Sequence, residues 1–139
     1  MSGQAVLDAS AALTWFFEDE RDDLSLAMAE VVAASGALVP ALFRLEMQNA
    51  LLQALRRKRM TRAIVDERLG DLDRLNLIVD SAAANLSFNS GFALAERFGL
   101  SAYDAAYLEL AERAKRPLMT RDKALRGAAR AMRLLWEPS

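Results

Sequence analysis

The sequence predicts an α/β fold, a three-layer α/β/α sandwich with a short, mostly parallel sheet. Four apolar runs of two or three residues have the length of short buried strands, and each is followed by a segment suited to a helix. Helical connections between successive strands are typical of parallel crossover units. Because no repeat or Pro/Gly-rich linker interrupts this alternation, residues 1–139 are expected to form one domain.

The predicted elements are bounded by capping residues, a glycine and a proline. Ala5-Val6-Leu7 predicts the first strand, and Ser10 can cap a helix from Ala11 to about Phe17. Gly36 is placed to end the second helix, and Pro40 limits the second strand. The other strands are predicted at residues 37–39, 77–79 and 118–119, with an edge strand at 133–136. The other helices are predicted at residues 24–34, 41–59, 61–75, 85–98, 101–115 and 123–132.

The chain contains neither Cys nor His. This composition excludes a disulfide framework, a thiol nucleophile and the usual structural zinc sites. It also excludes a Ser-His-Asp triad and imidazole acid–base catalysis. Hydrolytic chemistry would therefore depend on carboxylates, Lys, hydroxyls or a bound metal. Because hard oxygen ligands are plentiful, the composition favours Mg²⁺ or Mn²⁺ over zinc or copper.

The net charge of −1 hides an uneven distribution along the chain. Residues 1–55 carry two basic and eight acidic side chains, whereas residues 110–139 carry eight basic and three acidic ones. This asymmetry allows an anionic pocket beside a cationic rim.

The expected location is cytoplasmic. No apolar run approaches the roughly 18 residues that a transmembrane helix requires. Met1 to Gln4 lack the basic-then-apolar pattern of a signal peptide, and Asp8 interrupts the segment early.

Two acidic residues follow predicted strands. Asp8 closes the first strand, and Asp122 comes soon after Leu118-Met119. Open α/β sheets bind ligands beyond the carboxyl ends of their strands, so both residues lie where a site is expected. On position alone, either residue could equally be a turn or helix-capping residue.

Glu46 belongs to a polar stripe on a mostly apolar helix. At 100° per residue, Glu46, Asn49 and Gln53 lie within a stripe about 60° wide, which Arg56 and Arg57 continue. Such a stripe on a buried helix usually lines a cleft, and an ordinary solvated face is the alternative.

Asp104 combines a structural pattern with an unusual position. Ser101 and Asp104 fit a capping box at the start of a helix. The helical wheel nevertheless places Asp104 near Tyr107 and Ala111 on the apolar face. The solvated face carries Glu109, Glu112 and Arg113. A carboxylate directed inward needs a neutralising partner, either a metal or an internal Arg, and we favour the metal.

Four short segments, in order and distributed over the whole chain, resemble the motifs of PIN-domain nucleases, especially VapC-type toxins of bacterial toxin–antitoxin pairs. They are the opening motif Val6-Leu7-Asp8-Ala9-Ser10-Ala11, the Glu-x-x-Asn helix Leu45-Glu46-Met47-Gln48-Asn49-Ala50-Leu51, the third-acid segment Leu100-Ser101-Ala102-Tyr103-Asp104-Ala105-Ala106-Tyr107 and the Thr-x-Asp segment Met119-Thr120-Arg121-Asp122-Lys123-Ala124-Leu125.

The resemblance implies a PIN-like fold and a Mg²⁺- or Mn²⁺-dependent endoribonuclease that hydrolyses RNA through metal-activated water. Such proteins are often homodimers that a small antitoxin protein inhibits. The residues that match the metal-binding and catalytic acids of the family are Asp8, Glu46, Asp104 and Asp122. The residues that match the polar side chains around them are Ser10, Asn49 and Thr120.

Position in the predicted fold suggests different tasks for the acids. Asp8 and Asp104 are the best candidates for direct metal ligands. Glu46 would complete the ligand shell or orient the attacking water, and Asp122 would serve a second ion. The basic side chains expected to hold the RNA backbone form two clusters, above all through Arg56 and Arg57 in the first and Arg121, Lys123 and Arg126 in the second. The first cluster also contains Lys58, Arg59 and Arg62, and the second Arg130. A solvated surface is the alternative for these clusters.

Two other classes of protein compete with this interpretation. A PIN-like module without catalysis could act as a binding or regulatory scaffold, although acids stand at all four motif positions. An aspartate-nucleophile phosphatase would need a second Asp two residues after Asp8, where Ser10 stands. A receiver domain would need paired acids before its phosphorylated Asp, and Gln4 and Ala5 do not supply them.

Overall fold

The structure is a computed structural model that describes residues 4–139. The expectation about a targeting signal concerns the first residues, of which residues 1–3 lie outside the described range. Within the described range, no helix is both long enough and apolar enough to cross a membrane.

The sheet has four strands, and every pairing within it is parallel. The strands are β1 (Val6–Leu7), β2 (Ala37–Val39), β3 (Leu77–Val79) and β4 (Leu118–Met119). Their order is β3-β2-β1-β4, so the first and last strands of the sequence lie side by side. Val6 pairs with Leu38 on one side and with Leu118 on the other. The short, parallel sheet predicted from the sequence is confirmed.

Seven helices connect and follow the strands of the described chain. They are α1 (Ala9–Leu13), α2 (Asp23–Ser35), α3 (Leu42–Arg56), α4 (Arg62–Asp73), α5 (Phe92–Phe98), α6 (Ala102–Ala114) and α7 (Lys123–Ala131). Two short 3₁₀ helices lie at Glu18–Glu20 and Ala82–Asn85. Side-chain caps set several starts: Asp22 and Ser25 form a capping box on α2, and Ser101 caps α6.

The helices pack in two groups, α1–α4 and α5–α7, on opposite faces of the sheet. The connections from β1 to β2 and from β2 to β3 advance in one direction across the sheet. The connection from β3 to β4 returns past β1 and therefore places its helices on the other face, since such crossovers are right-handed. The strand order thus reverses between β1 and β4, where open α/β sheets bind ligands.

The core lies between the sheet and both helical layers. Val6, Leu7, Leu118 and Met119 are fully buried, which fits strands covered on both faces. The α6 residue Tyr107 is also fully buried.

Four predicted elements were wrong in their bounds or in their type. The helix predicted at residues 85–98 exists only as Phe92–Phe98, because Gly91 before it adopts a left-handed φ of 84°. The predicted helix at 41–59 ends at Arg56, because Lys58 has a φ of 59° and turns the chain. The first helix begins at Ala9, after Asp8 rather than Ser10, and ends at Leu13. Residues 133–136 form one isolated parallel bridge, Leu118 with Leu135, rather than a strand.

Candidate active site

The acids Asp8, Glu46, Asp104 and Asp122 all line one open cavity of about 490 Å³. Asp8 follows β1, and Asp122 begins α7 just after β4, so these two lie at the reversal of the strand order. Glu46 comes from α3 and Asp104 from the first turn of α6, one helix from each face of the sheet. The fold therefore brings four distant segments of the chain to the edge where the topology predicts a ligand site.

Asp8 is the most buried of the four acids, with 4% of its surface exposed. Its Oδ2 accepts hydrogen bonds from Ser10 Oγ at 2.6 Å and from Thr120 Oγ1 at 2.7 Å. Burial raises the pKa of Asp8, the two hydroxyl groups lower it, and the charges of Asp104 and Asp122 raise it further. Ser10 and Thr120 therefore fix a carboxylate whose negative charge the fold does not neutralise.

Glu46 receives a hydrogen bond from the opposite layer. The hydroxyl group of Tyr107, on α6, donates to Glu46 Oε1 at 2.5 Å. Burial raises the pKa of Glu46, the Tyr107 hydroxyl lowers it, and the charges of Asp8 and Asp104 raise it. Burial also raises the pKa of Tyr107, with the adjacent Glu46 adding to the effect, so this side chain remains a neutral donor. Tyr107 fixes the position of Glu46 across the cavity.

Asp104 has both the structural role and the inward position predicted for it. Its backbone N–H donates to Ser101 Oγ at 3.1 Å, which caps α6. Its half-buried carboxylate lines the cavity, where burial and the charge of Asp122 raise its pKa. The backbone N–H and the carboxylate thus serve different purposes, one in the helix cap and one in the cavity.

Asp122 caps the last helix. Its Oδ2 accepts a hydrogen bond from the backbone N–H of Leu125 at 2.9 Å. Its own backbone N–H donates to Thr120 Oγ1 at 3.1 Å, which links it to the hydrogen bonds around Asp8. This cap also holds the carboxylate beside the cavity. Asp122 can therefore cap the helix and take part in the site at the same time.

None of the four acids forms an ion pair with an Arg or Lys among the residues that the structure describes. The internal Arg partner considered for Asp104 is therefore not found within residues 4–139. Acids elsewhere differ, since Asp80 pairs with Arg113 at 2.7 Å and Asp22 with Arg121 at 2.6 Å. Uncompensated carboxylates around one cavity favour binding of a cation.

The donor set fits a divalent ion, although the carboxylates are not gathered into a tight cluster. In the described part of the chain, no group of three or more acidic side chains is already arranged to hold a metal ion. Mg²⁺ keeps several water ligands and uses one or two protein carboxylates, so a wider arrangement suits it. The donors are all oxygen atoms, which Mg²⁺ prefers. The pKa values of Asp8, Glu46 and Asp104 are raised, so a bound cation would favour the charged form of each carboxyl group.

The remaining predicted residues lie at different distances from the acids. Asn49 on α3 and Arg57 just after its end line the same cavity, whereas Arg56 does not. Arg121 forms a bidentate pair with Asp22 and lines a neighbouring groove together with Asp122. Lys123 lines another groove beside Asp122. Arg126 donates to the carbonyl oxygen of Thr120 at 2.9 Å.

Sequence reasoning did not assign Tyr107 or Glu20 to this region, and it gave Arg59 only as one member of a basic cluster. Tyr107 has a recognisable signal, because it lies three residues after Asp104 and therefore on the same helical face. Arg59 lines the cavity as well, but it follows the end of α3, where helical periodicity no longer applies.

The fold and the cavity define a parallel α/β domain with an acidic cleft at the reversal of its strand order. The PIN domain family model matches residues 5–131, and the chain belongs to this family. Members of the family are generally nucleases, usually dependent on divalent metal ions. A solved structure, PAE2754 from Pyrobaculum aerophilum, is 24% identical, with a TM-score of 0.64 over 92% of this chain and 87% of that chain, and therefore has a similar fold. A search of curated proteins gave no match.

Proposed function

We propose that the chain acts as a single-domain endoribonuclease that needs Mg²⁺ or Mn²⁺ and hydrolyses RNA phosphodiester bonds. Its site would comprise Asp8, Glu46, Asp104 and Asp122. One observation carries the proposal: four acids from distant segments line one cavity, and none has a cationic partner in residues 4–139. Membership of a family of nucleases supports phosphodiester hydrolysis as the chemistry.

The proposed roles follow from the contacts of each acid. Asp8 and Asp104 would be the main metal ligands, with Ser10 and Thr120 holding the Asp8 carboxylate through its Oδ2. Glu46, held by the Tyr107 hydroxyl group, would orient the attacking water or complete the ligand set. Outer hydrogen bonds of this kind fix ligand orientation. A divalent ion bound there supplies positive charge for a phosphate oxygen and lowers the pKa of a water molecule.

RNA is the proposed substrate. This choice rests on the resemblance to VapC-type nucleases and on the basic side chains near the acids. Arg57 lines the cavity itself, while Arg121 and Lys123 lie in grooves beside Asp122. Backbone phosphates are the groups that such side chains recognise without sequence preference. Asn49 would add a hydrogen-bonding group along α3.

Purified protein should cleave mixed RNA in Mg²⁺ or Mn²⁺ and lose this activity in EDTA. The Asp8→Asn variant should be inactive. Asp66→Asn is a suitable control because it removes an exposed acid that does not line the cavity. Activity that persists in EDTA, or full activity in Asp8→Asn, would contradict the proposed site. Absence of cleavage with retained RNA binding would favour a catalytically silent PIN-like binding module.

The physiological role that we propose is that of a toxin in a VapBC-type pair, acting in the cytoplasm on cellular RNA. The proposed partners are a small antitoxin protein and a second copy of the chain in a homodimer. The motif resemblance alone supports this role. Expression of the chain should arrest growth, and co-expression of a small protein encoded beside it should restore growth. Harmless expression of a protein that cleaves RNA in vitro would instead indicate a housekeeping nuclease.

A further inference from the structure

The cavity has an acidic end, formed by the four acids of the proposed site, and a basic end, formed by Arg57 and Arg59. One face of α3 connects the two ends, and Glu20 also lines the cavity. Glu46, Asn49, Gln53 and Arg57 recur at helical spacing and all line it. With a rise of about 1.5 Å per residue, Glu46 and Arg57 are about 16 Å apart along the helix axis. Arg59 lines the same basic end. A ligand that interacts with both ends must therefore be extended.

The backbone at the end of α3 fixes the position of Arg59. The N–H of Arg59 donates to the Ala54 carbonyl oxygen at 2.8 Å, and the N–H of Lys58 donates to the Leu55 carbonyl oxygen at 3.1 Å. With Lys58 at a φ of 59°, these two hydrogen bonds form a Schellman motif. The motif reverses the chain direction and returns the Arg59 side chain to the cavity wall.

The guanidinium group of Arg59 is held over an aromatic ring. Its Cζ lies 4.7 Å from the centroid of the Phe17 ring, and Phe17 is only 8% exposed. Asp19 approaches Arg59 Nη2 at 3.9 Å, but both side chains are more than half exposed, and such a pair contributes little. The ring therefore orients the cation in advance, which lowers the entropic cost of binding an anion there.

The donors of Arg57 and Arg59 remain available. In the described structure neither guanidinium group makes a hydrogen bond to a protein acceptor. By contrast, Arg113 and Arg121 each hold carboxylates with two nitrogens, and Arg126 donates to a carbonyl oxygen. Two guanidinium groups with free donors at one end of a cavity form a suitable binding place for a phosphate.

We infer that Arg57 and Arg59 bind a backbone phosphate of a single-stranded polynucleotide, several nucleotides from the bond held at the acidic end. The inference rests on the proposed function. At a rise of about 3.4 Å per stacked nucleotide, 16 Å corresponds to about five nucleotides, and to fewer in an extended strand. Asp8 lines this cavity with only 4% of its surface exposed, and a single strand can bring a phosphate closer to such a recessed carboxylate than a duplex can.

The test measures binding without cleavage. Fluorescence anisotropy in EDTA would give the affinity of the full chain for a labelled, random-sequence single-stranded RNA of about eight nucleotides, at several salt concentrations. Each phosphate contact on a single strand contributes about 0.7 to the slope of log K against log salt. The double variant Arg57→Gln/Arg59→Gln should reduce the slope by about 0.7. Each single variant should reduce the slope by part of this amount and weaken binding about threefold to tenfold at low salt. Arg59→Lys should keep the slope, because it keeps the charge.

Arg97→Gln is the matched control. Arg97 also lies over a phenylalanine, 4.6 Å from the Phe98 ring centroid, but it does not line the cavity. Its replacement should leave the slope unchanged. Equal slopes for Arg59→Gln and the unmodified protein, or equal losses for Arg59→Gln and Arg97→Gln, would overturn the inference. Equal affinity for duplex RNA of the same length would overturn its single-stranded part.

Failure of this inference can be distinguished from failure of the proposed function. If the protein does not cleave RNA in Mg²⁺, the proposed function is wrong, whatever the binding slopes show. If it cleaves RNA while Arg59→Gln binds and cleaves with unchanged affinity and Michaelis constant, only the phosphate site is wrong. A raised Michaelis constant with an unchanged kcat would support it, since Arg59 is placed to bind the strand away from the reacting bond.

Discussion

Replacing Asp8 by Asn is expected to stabilise the metal-free protein, although it removes a proposed metal ligand. Asp8 is 4% exposed and has no cationic partner within the described residues. The variant would remove a buried negative charge and its repulsion with Asp104 and Asp122. The amide oxygen of Asn can still accept the hydrogen bonds that Ser10 and Thr120 donate to Oδ2. The shape and the hydroxyl contacts are therefore retained.

The direction follows from the burial of Asp8, which raises its pKa more than the two hydroxyl groups lower it. The variant relieves one unpaired buried charge and keeps the hydrogen bonds to it. We expect a gain of about 1–2 kcal/mol at neutral pH, the usual size for a single substitution that acts in this way. For a chain of this size, such a gain raises the melting temperature by about 3–6 °C.

The assay is thermal unfolding at neutral pH, in EDTA and in Mg²⁺. In EDTA the Asp8→Asn variant should melt above the unmodified protein. Mg²⁺ should then raise the melting temperature of the unmodified protein by preferential binding to the folded state and have little effect on the variant. The difference in melting temperature between the variant and the unmodified protein should therefore narrow or change sign when Mg²⁺ is present.

Asp80→Asn provides the control with the opposite sign. The Asp80 side chain is only 9% exposed, but it accepts hydrogen bonds from Arg113 at 2.7 and 3.2 Å. Loss of this charged pair should destabilise the fold by about 1–3 kcal/mol, with the Mg²⁺ response retained. Destabilisation of Asp8→Asn in EDTA, or a full Mg²⁺ response in that variant, would refute the reasoning about uncompensated charge.

Three further predictions follow from contacts in and near the site. Tyr107→Phe removes the donor to Glu46 and should weaken Mn²⁺ binding about tenfold or more with little loss of fold, as titration calorimetry can show; unchanged affinity would exclude the positioning role. Asp8, Glu46 and Asp104 have raised pKa values, so in EDTA they favour the folded state most below about pH 4, where they are protonated. This contribution to stability should be lost as the pH rises through the pKa values that these groups have in the folded protein. Asp80 has a lowered pKa, so its contribution should instead be lost below its ordinary value of 3.8. Melting curves across pH should show both declines, and Mg²⁺ should abolish the first alone. Lys58→Gly should stabilise the fold by about 0.5–1 kcal/mol, because glycine adopts the left-handed conformation without strain. Denaturant unfolding should show this gain, with RNA cleavage unchanged.

The sequence predicted the strands well because they are short and fully apolar, and β1 and β4 are buried on both faces. Leu77–Val79 was predicted with its observed bounds, and helix ends at Gly36 and Gly99 followed from glycine at the position after the last turn. Residues 85–91 were misjudged because their composition tolerates a helix. A left-handed φ at Gly91 and turns around Ser87 and Asn89 determine their actual conformation.

The candidate site was partly predictable. Asp104 could be singled out because a carboxylate on the apolar face of a helix is an energetic conflict visible in the sequence. Glu46 could be singled out because it belongs to a polar stripe on a mostly apolar helix. Contacts that cross between layers could not be predicted in this way. The hydrogen bond from Tyr107 to Glu46 spans 61 residues of sequence, and the stacking of Arg59 on Phe17 joins two segments with no shared periodicity. Both depend on tertiary packing rather than on local pattern.

The adjacency of β1 and β4 has a consequence for biosynthesis. Thr120 donates to Asp8 across a separation of 112 residues, and β4 pairs directly with β1. A nascent chain that still lacks residues 118–131 has one open side on its central strand, and it lacks Asp122 and the hydroxyl group that holds Asp8. Such long-range contacts form late in folding. The set of four acids is thus incomplete until nearly the whole chain has emerged from the ribosome.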